Sequence, residues 1–159
     1  MSNVQMTRTV NGPLDLTWKA ISTMGAVADW HPNVFMAEVL SQHESGIGAS
    51  RRVEFHSGDS VVESVVEETV EEFTKVEMTE SPMLKAAFVT IRVSQRSADT
   101  TDVTFSIDYS VKYGPIGWFV DTLMMKRMFR SVFDVALGGL SYHLETGELV
   151  TDSVPAPAV

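Results

Sequence analysis

The amino-acid sequence predicts an α+β domain: a seven-stranded, curved antiparallel sheet wrapped around one long C-terminal helix, with two short helices after the first strand. Three observations support this prediction. Apolar and polar residues alternate with a period of two through most of the segment from 36 to 112. Turn-forming residues divide that segment at short intervals, so consecutive strands are expected to pair as a meander. After residue 115 the apolar residues recur at helical spacing for about 30 positions.

The length and composition fit a single domain. The chain has 159 residues, of which 44% are hydrophobic and 21% charged, as in an ordinary globular protein. We expect one domain over residues 1–150 and a disordered, proline-rich tail over 151–159. No apolar run is long enough to cross a membrane and no signal peptide is evident, so a cytoplasmic location is expected.

Acidic residues are concentrated in one segment and supply much of the net charge of −9. Within it, Lys75 is the only base among the glutamates Glu63, Glu67, Glu68, Glu71, Glu72, Glu77 and Glu80. This concentration of negative charge repels the phosphate backbones of nucleic acids, so we expect no nucleic-acid partner. The more ordinary interpretation of this run is a solvated sheet face with its turns.

The predicted elements follow in order along the chain. Alternation over 4–11 indicates the first strand, and Pro13 suits the first turn of an amphipathic helix over 13–23. A second short helix over 26–30 ends before Pro32, because the residue before a proline disfavours the helical conformation. The six later strands are expected near 36–44, 50–56, 60–70, 73–80, 86–96 and 102–112.

The long C-terminal helix is predicted from 116 to 148, with one polar and one apolar face. Gly138 and Gly139 each weaken it by about 1 kcal/mol relative to alanine, so we expect either close contact with another element or a bend there. One helix cannot fill the concave side of so wide a sheet, and the two short helices cover only one end. The sequence therefore predicts a cavity between sheet and long helix, where ligands usually bind.

Six stretches of the sequence carry a family resemblance: "ADWHPNV" (28–34), "GIGASRRVEFHSG" (46–58) with "VVESV" (61–65), "ESP" (80–82) with "VTIRV" (89–93), and "TDVTFSIDY" (101–109). The chain resembles the helix-grip fold of the SRPBCC superfamily, which includes START domains, birch-pollen-allergen-like proteins, plant abscisic acid receptors and polyketide cyclases/dehydrases. The similarity covers residues 4 to 147 and is greatest to the bacterial polyketide cyclase/dehydrase-like branch. For function it implies only a ligand cavity, because that branch mixes enzymes with binding proteins.

Strand alternation assigns side chains to the concave face of the sheet. The residues expected to point inward are Arg51, Val53, Phe55, Val76, Met78, Ala87, Val89, Ile91, Val93, Phe105, Ile107 and Tyr109. From the helix, the expected cavity residues are Met124, Met128, Val132 and Ala136, although ordinary core packing of the methionines is an alternative. The candidate ligand-binding residues are Trp30, His31, Arg51, Val53, Phe55, Glu63, Met78, Val89, Phe105, Tyr109, Met124, Met128 and Val132.

Glu63 is the position that alternation leaves ambiguous. If the "SGDS" hairpin pairs residue 54 with 63, Glu63 lies on the outer face; with an odd residue in the loop, it lies inside with Arg51 and Val53. The family resemblance favours the inner position, because a glutamate after this hairpin often lines the pocket. A buried Arg51 and Glu63 need mutual contact, since an unpaired buried charge is very costly. The pair is interpreted either as a polar anchor for a ligand or as a structural or solvent-facing ion pair.

Glu63, Tyr109 and His31 are the candidates for acid–base chemistry, such as removal of a proton from a carbon beside a carbonyl. For His31 the alternatives are packing at the rim or ligand contact, and for Tyr109 an ordinary place in the core. The four histidines lack metal-ligand spacing and the chain has no cysteine, so no metal site is expected. "GIG" (46–48) lacks the other glycines of a dinucleotide motif, and no cofactor is expected.

Two functions are compatible with these residues, and the sequence leaves open whether the protein is an enzyme. The first is binding of a small hydrophobic molecule, lipid-like or polyketide-like, in the cavity. The alternative is a polyketide cyclase, aromatase or dehydratase that uses acid–base groups in the same cavity. A regulatory module whose mouth, at Trp30, Pro32 and Met124–Met125, responds to a ligand is a further hypothesis. An oligomer is possible, and nothing in the sequence indicates one.

Overall fold

The computed structural model describes residues 1–112 and 124–150. Seven antiparallel strands form one sheet in the order β1-β7-β6-β5-β4-β3-β2. The order follows from the chain itself, because each strand from β2 to β7 pairs with its neighbour in sequence and β1 then pairs with β7. The strands are β1 (Ser2–Val10), β2 (Val34–Val39), β3 (Ser50–Phe55), β4 (Ser60–Thr69), β5 (Phe73–Thr79), β6 (Leu84–Gln95) and β7 (Thr101–Val111).

Helices α1 (Leu14–Ser22) and α2 (Val27–Trp30) follow β1, with a short 3-10 turn between them, and α3 (Lys126–Thr146) is the last of the described elements. Gly147 terminates α3 in the left-handed conformation with φ of 72°. Among the described helices none is long and apolar enough to cross a membrane. The predicted start of the long helix at 116 and the predicted tail over 151–159 lie outside the described residues.

The predicted architecture is confirmed, with one difference in the strands. β2 ends at Val39, whereas alternation predicts a strand to residue 44. The segment after it bonds elsewhere: Ser41 Oγ donates to the carbonyl of His43 and accepts the N–H of Ser50, and the carbonyl of Glu44 accepts the N–H of Met24. The turn that follows contains Gly46 and Gly48, whose φ of 87° and 90° are values that side-chain-bearing residues rarely take.

Helix α3 lies across the concave face and is held at both sides. On one side Arg8 of β1 forms an ion pair with Asp134. On the other, a Cβ built on Gly139 lies 2.1 Å from the carbonyl oxygen of Trp30 and 2.6 Å from Cδ of Pro32. Gly139 therefore marks a close crossing between α3 and the end of α2. Close contact, one of the two predicted explanations for the paired glycines, applies to Gly139.

Candidate functional site

A cavity of about 420 Å³ lies between the sheet and α3, within the size range of small-molecule sites. Its walls are the inner residues of β3 to β7, the buried side of α3 and the residues of α1 and α2 at one end. Loop residues of the β3–β4 and β5–β6 connections complete it: His56, Ser57 and Asp59 from the first, and Ser81, Pro82 and Met83 from the second. Most of the wall is apolar, as the wide sheet and single long helix predict.

The structure brings most of the candidate residues to this cavity. Its lining includes Trp30, His31, Arg51, Val53, Phe55, Glu63, Met78, Val89, Phe105, Met128 and Val132. Strand alternation was enough to find the sheet residues, because inward side chains recur every second position on each strand. Trp30 plugs the end beneath α1, where its indole N–H donates to the carbonyl of Ala20 at 3.0 Å and its ring packs against Phe105.

Two candidates lie outside the cavity lining. Tyr109 points inward as predicted but is fully buried in the core, because Phe129 of α3 packs on its ring at a centroid distance of 4.8 Å. Met124 is 65% exposed. It lies one residue before Met125, which is buried and does line the cavity, and one residue is a rotation of about 100° on a helix. The predicted phase of the helix was therefore wrong by one position here.

The same phase difference explains which cavity residues the sequence did not single out. The helix presents Met125, Phe129 and Phe133, spaced by four, at the centre of its buried side, and Met128 and Val132 at its edge. Ala136, another predicted liner, is buried but does not reach the cavity. The short N-terminal helices contribute further residues that were not predicted: Ile21, Met24 and Val27. Helical spacing by four from Phe129 would have found Phe133.

The Arg51–Glu63 pair is the main charged feature of the cavity wall. The β3–β4 hairpin pairs Glu54 with Ser60 and Arg51 with Glu63, so the inner alternative for Glu63 is the one that the register shows. Arg51 Nε lies 2.7 Å and Nη2 2.5 Å from Glu63 Oε2, and Nη1 donates to the carbonyl of Met24 at 2.9 Å. Both side chains are about nine-tenths buried.

This arrangement leaves one carboxylate oxygen of Glu63 available. Both contacts from Arg51 go to Oε2, and among the described residues Oε1 has no hydrogen-bond partner. The guanidinium compensates the buried charge, as such a charge requires. Oε1 is therefore an acceptor on the wall of an apolar cavity, suited to a ligand group that donates a hydrogen bond.

His31 adds a donor to the same wall. Its ring is stacked on Trp30 with centroids 5.7 Å apart, and its Nδ1 accepts the backbone N–H of Asn33 at 3.2 Å. Burial, and secondarily the nearby positive charge of Arg51, lower the pKa of His31 from 6.5 to about 4. At neutral pH the ring is thus uncharged, and since Nδ1 is an acceptor, the proton is on Nε2. The half-buried His31 is a neutral hydrogen-bond donor.

Removal of His31 is expected to change how stability depends on pH. The folded protein disfavours the charged ring, so its contribution is complete above pH 6.5 and is lost as the pH falls toward 4. In His31→Gln, melting temperature should therefore fall less between these values than in the wild type. Thermal unfolding followed across that pH range measures the difference. His43→Gln, at an exposed histidine, is the control; an equally flattened curve there would contradict the assignment.

A metal ion has no evident place at this site. Across residues 1–112 and 124–150, no group of three or more histidine or acidic side chains converges. Arg51 lies beside Glu63, the glutamate that lines the cavity, and supplies the positive charge there. The chemistry that the site offers is hydrogen bonding and proton transfer in an apolar enclosure.

Comparisons with known proteins agree with this architecture. No curated protein matches the chain, but solved structures do. A START superfamily protein from Mycobacterium smegmatis aligns with a TM-score of 0.74 and 15% identity, over 90% of this chain and 97% of that one. The Zhui aromatase/cyclase from Streptomyces sp. R1128 aligns at 0.69 and 16%, over 94% and 99%. Ginseng major latex-like protein 151 from Panax ginseng aligns at 0.61 and 15%, over 82% and 95%.

At these identities the three structures show a shared fold, the helix-grip fold that the sequence motifs predict. Membership of a family rests on the sequence itself. The family model described as polyketide cyclase / dehydrase and lipid transport matches residues 1–145, which is nearly all of the described domain. The match and the fold together confirm the resemblance to the SRPBCC superfamily, and the chain belongs to its polyketide cyclase/dehydrase and lipid-transport family.

Proposed function

We propose that the protein binds a small, largely apolar molecule, lipid-like or polyketide-like, between the sheet and α3. The observation that carries the proposal is a largely apolar cavity of about 420 Å³ whose wall holds a few polar groups, among them the compensated Arg51–Glu63 ion pair and the neutral imidazole of His31. Apolar lining with a few fixed polar groups is the usual composition of a small-molecule site. The polar groups select and orient the ligand, and the apolar wall supplies most of the affinity.

The polar atoms on the wall define the group that the ligand presents to them. Glu63 Oε1 accepts a hydrogen bond and His31 Nε2–H donates one. A hydroxyl can do both at once, because it donates to the carboxylate and accepts from the imidazole. A ligand carboxylate fits less well, since it would face the carboxylate of Glu63. An alcohol or an enolisable ketone is the polar end that this site favours.

The neutral state of His31 also supports a second candidate function, catalysis of a cyclisation or dehydration. In this mechanism Glu63 Oε1 removes a proton from a carbon beside a carbonyl, while His31 Nε2–H stabilises the negative charge on that carbonyl oxygen. The enolate carbon then bonds to a second carbonyl of the same molecule, whose oxygen takes the proton from Glu63. An aromatase/cyclase is among the proteins of this fold.

One experiment tests binding and separates the two functions. The purified protein is incubated with long-chain alcohols and aromatic polyketides, then analysed by thermal shift and native mass spectrometry, and the bound molecules are extracted. Recovery of an unchanged ligand supports binding, and recovery of a cyclised or dehydrated product supports catalysis. If no compound of either kind raises the melting temperature or is retained, both functions are contradicted.

Filling the cavity is expected to abolish retention of these ligands. Val89 lines the cavity from the middle of β6, so Val89→Trp should occupy ligand volume and weaken binding at least about tenfold. Affinity is measured by titration of the tightest ligand found. Val66→Trp makes the same change at a position that is 41% exposed and serves as the control. Equal affinity in the two variants would show that the ligand binds elsewhere.

A further inference from the structure

Thr74 is a cavity-lining residue whose hydroxyl has no hydrogen-bond partner among the described residues. The residue lies in β5, is 2% exposed and borders the cavity. Its Oγ1 has no hydrogen-bond partner among the residues that the structure describes. A buried hydroxyl without a hydrogen bond costs about 1–3 kcal/mol, and most such groups in folded proteins are satisfied. Valine at this position would fill nearly the same space without that penalty.

A second unpartnered oxygen lies beside it. The register of β4 and β5 shifts between Val65 and Glu67, and this bulge brings Glu68 directly opposite Thr74. Opposite residues on an antiparallel pair share one face, so both side chains belong to the inner face. Glu68 Oε2 is also withdrawn from solvent with no partner among residues 1–112 and 124–150. Glu68 is not itself a lining residue, but its carboxylate makes the strand pair behind Thr74 locally polar.

The Thr74 end is separate from the Arg51–Glu63 pair. Glu63 pairs with Met78, and Thr74 precedes Met78 by four residues on β5. At about 3.3 Å per residue, the two positions are ~13 Å apart along the strand. The inner position between them on β5 is Val76, which is buried and paired with Val65. Thr74 and the Arg51–Glu63 pair are thus two separate polar positions on the cavity wall, with the apolar Val76 between them.

We propose that Thr74 forms a second polar subsite and that the ligand carries a hydroxyl or carbonyl group at each end of an apolar body. This inference rests on the proposed binding function and narrows its ligand class. A hydroxyl at the far end of the ligand can accept from Thr74 Oγ1–H, and a carbonyl oxygen can do the same. The separation of the two subsites sets the length of the ligand, about that of a medium-chain α,ω-bifunctional molecule.

The test compares dodecanol with the α,ω-diol of the same chain length, using isothermal titration of the wild type, Thr74→Val and Thr90→Val. One hydroxyl reaches Glu63 in both compounds, and only the diol reaches Thr74. We expect the wild type to bind the diol about three- to tenfold more tightly than dodecanol, which is the affinity that one additional hydrogen bond contributes. Thr74→Val should lose this preference. Thr90→Val, the same change on the outer face of β6, should retain it.

The outcomes separate this inference from the binding function. Equal affinity of the wild type for alcohol and diol overturns the second subsite and leaves ligand binding intact. Failure to bind either compound contradicts both. Melting of the ligand-free proteins gives an independent readout, since Thr74→Val should be at least as stable as the wild type once the unpartnered hydroxyl is gone. A marked loss of stability would show that Oγ1 has a structural partner and would overturn the inference.

Discussion

Replacing Gly139 with alanine is expected to destabilise the protein by about 3 kcal/mol or more, an unusually large effect for one methyl group. The added Cβ would lie 2.1 Å from the carbonyl oxygen of Trp30 and 2.6 Å from Cδ of Pro32. Neither neighbour is the flexible end of a side chain: one is backbone and the other a proline ring that is itself buried. Relief requires moving α3 away from α2. Chemical denaturation of wild type and variant measures the loss.

Gly138 supplies a matched control one residue away. A Cβ there meets only Nη1 of Arg8 at 3.7 Å, an ordinary contact. Gly138→Ala should therefore gain helix propensity and stabilise the protein by up to about 1 kcal/mol. The two alanine substitutions, at adjacent positions in one helix, are expected to change the stability in opposite directions. If both stabilise, the close crossing at Gly139 does not exist in solution.

The crossing at Gly139 connects packing to the site. The backbone that it presses against, from Trp30 to Pro32, carries His31 on the cavity wall. The carbonyl of Asp29 also accepts the N–H of Val150, so a hydrogen bond from the chain after α3 holds this segment as well. A variant in which α3 moves should lose ligand affinity together with stability. The tightness of the crossing fixes the orientation of the imidazole.

Much of this molecule could be predicted from the sequence because its strands are short, sequential and clearly alternating. Strand order, the antiparallel meander and the inward side chains of Val53, Phe105 and Val89 follow from period-two patterning and short loops. The cavity follows as well, since one helix cannot cover seven strands. For His31 the position was predicted, but the tautomer could not be, because it depends on a hydrogen bond from the backbone N–H of Asn33.

The remaining features depend on single-residue offsets that patterning does not determine. Whether Glu63 lies inside is decided by the register of one hairpin, and a shift of one residue reverses it. Glu68 and Thr74 come together only because of a bulge in β4, which alternation cannot reveal. Just before α3, an error of one residue exchanged Met124 for Met125. Contacts between distant elements, and not local pattern, fix each of these.

Removal of one partner of the Arg51–Glu63 pair is expected to have the second large effect on the stability of the protein. In Arg51→Met, Glu63 keeps a buried charge with no compensation, since Arg51 supplies both of the contacts to Oε2. The carbonyl of Met24 loses its donor as well. Breaking a buried pair in this way costs about 3–5 kcal/mol. Denaturant unfolding of Arg51→Met, compared with the wild type, measures this loss.

The double variant Arg51→Met/Glu63→Leu separates a structural role from a ligand-binding role. With both charges replaced by apolar side chains, stability should return to the wild-type value or exceed it, because the desolvation penalty is gone. Binding should not return in the same way: without Glu63 Oε1 the preference for dodecanol over dodecane should be clearly weaker than in the wild type, because only the N–H of His31 is left to bond the hydroxyl there. A double variant that is stable and prefers the alcohol as strongly as the wild type does would show that the pair serves the fold alone.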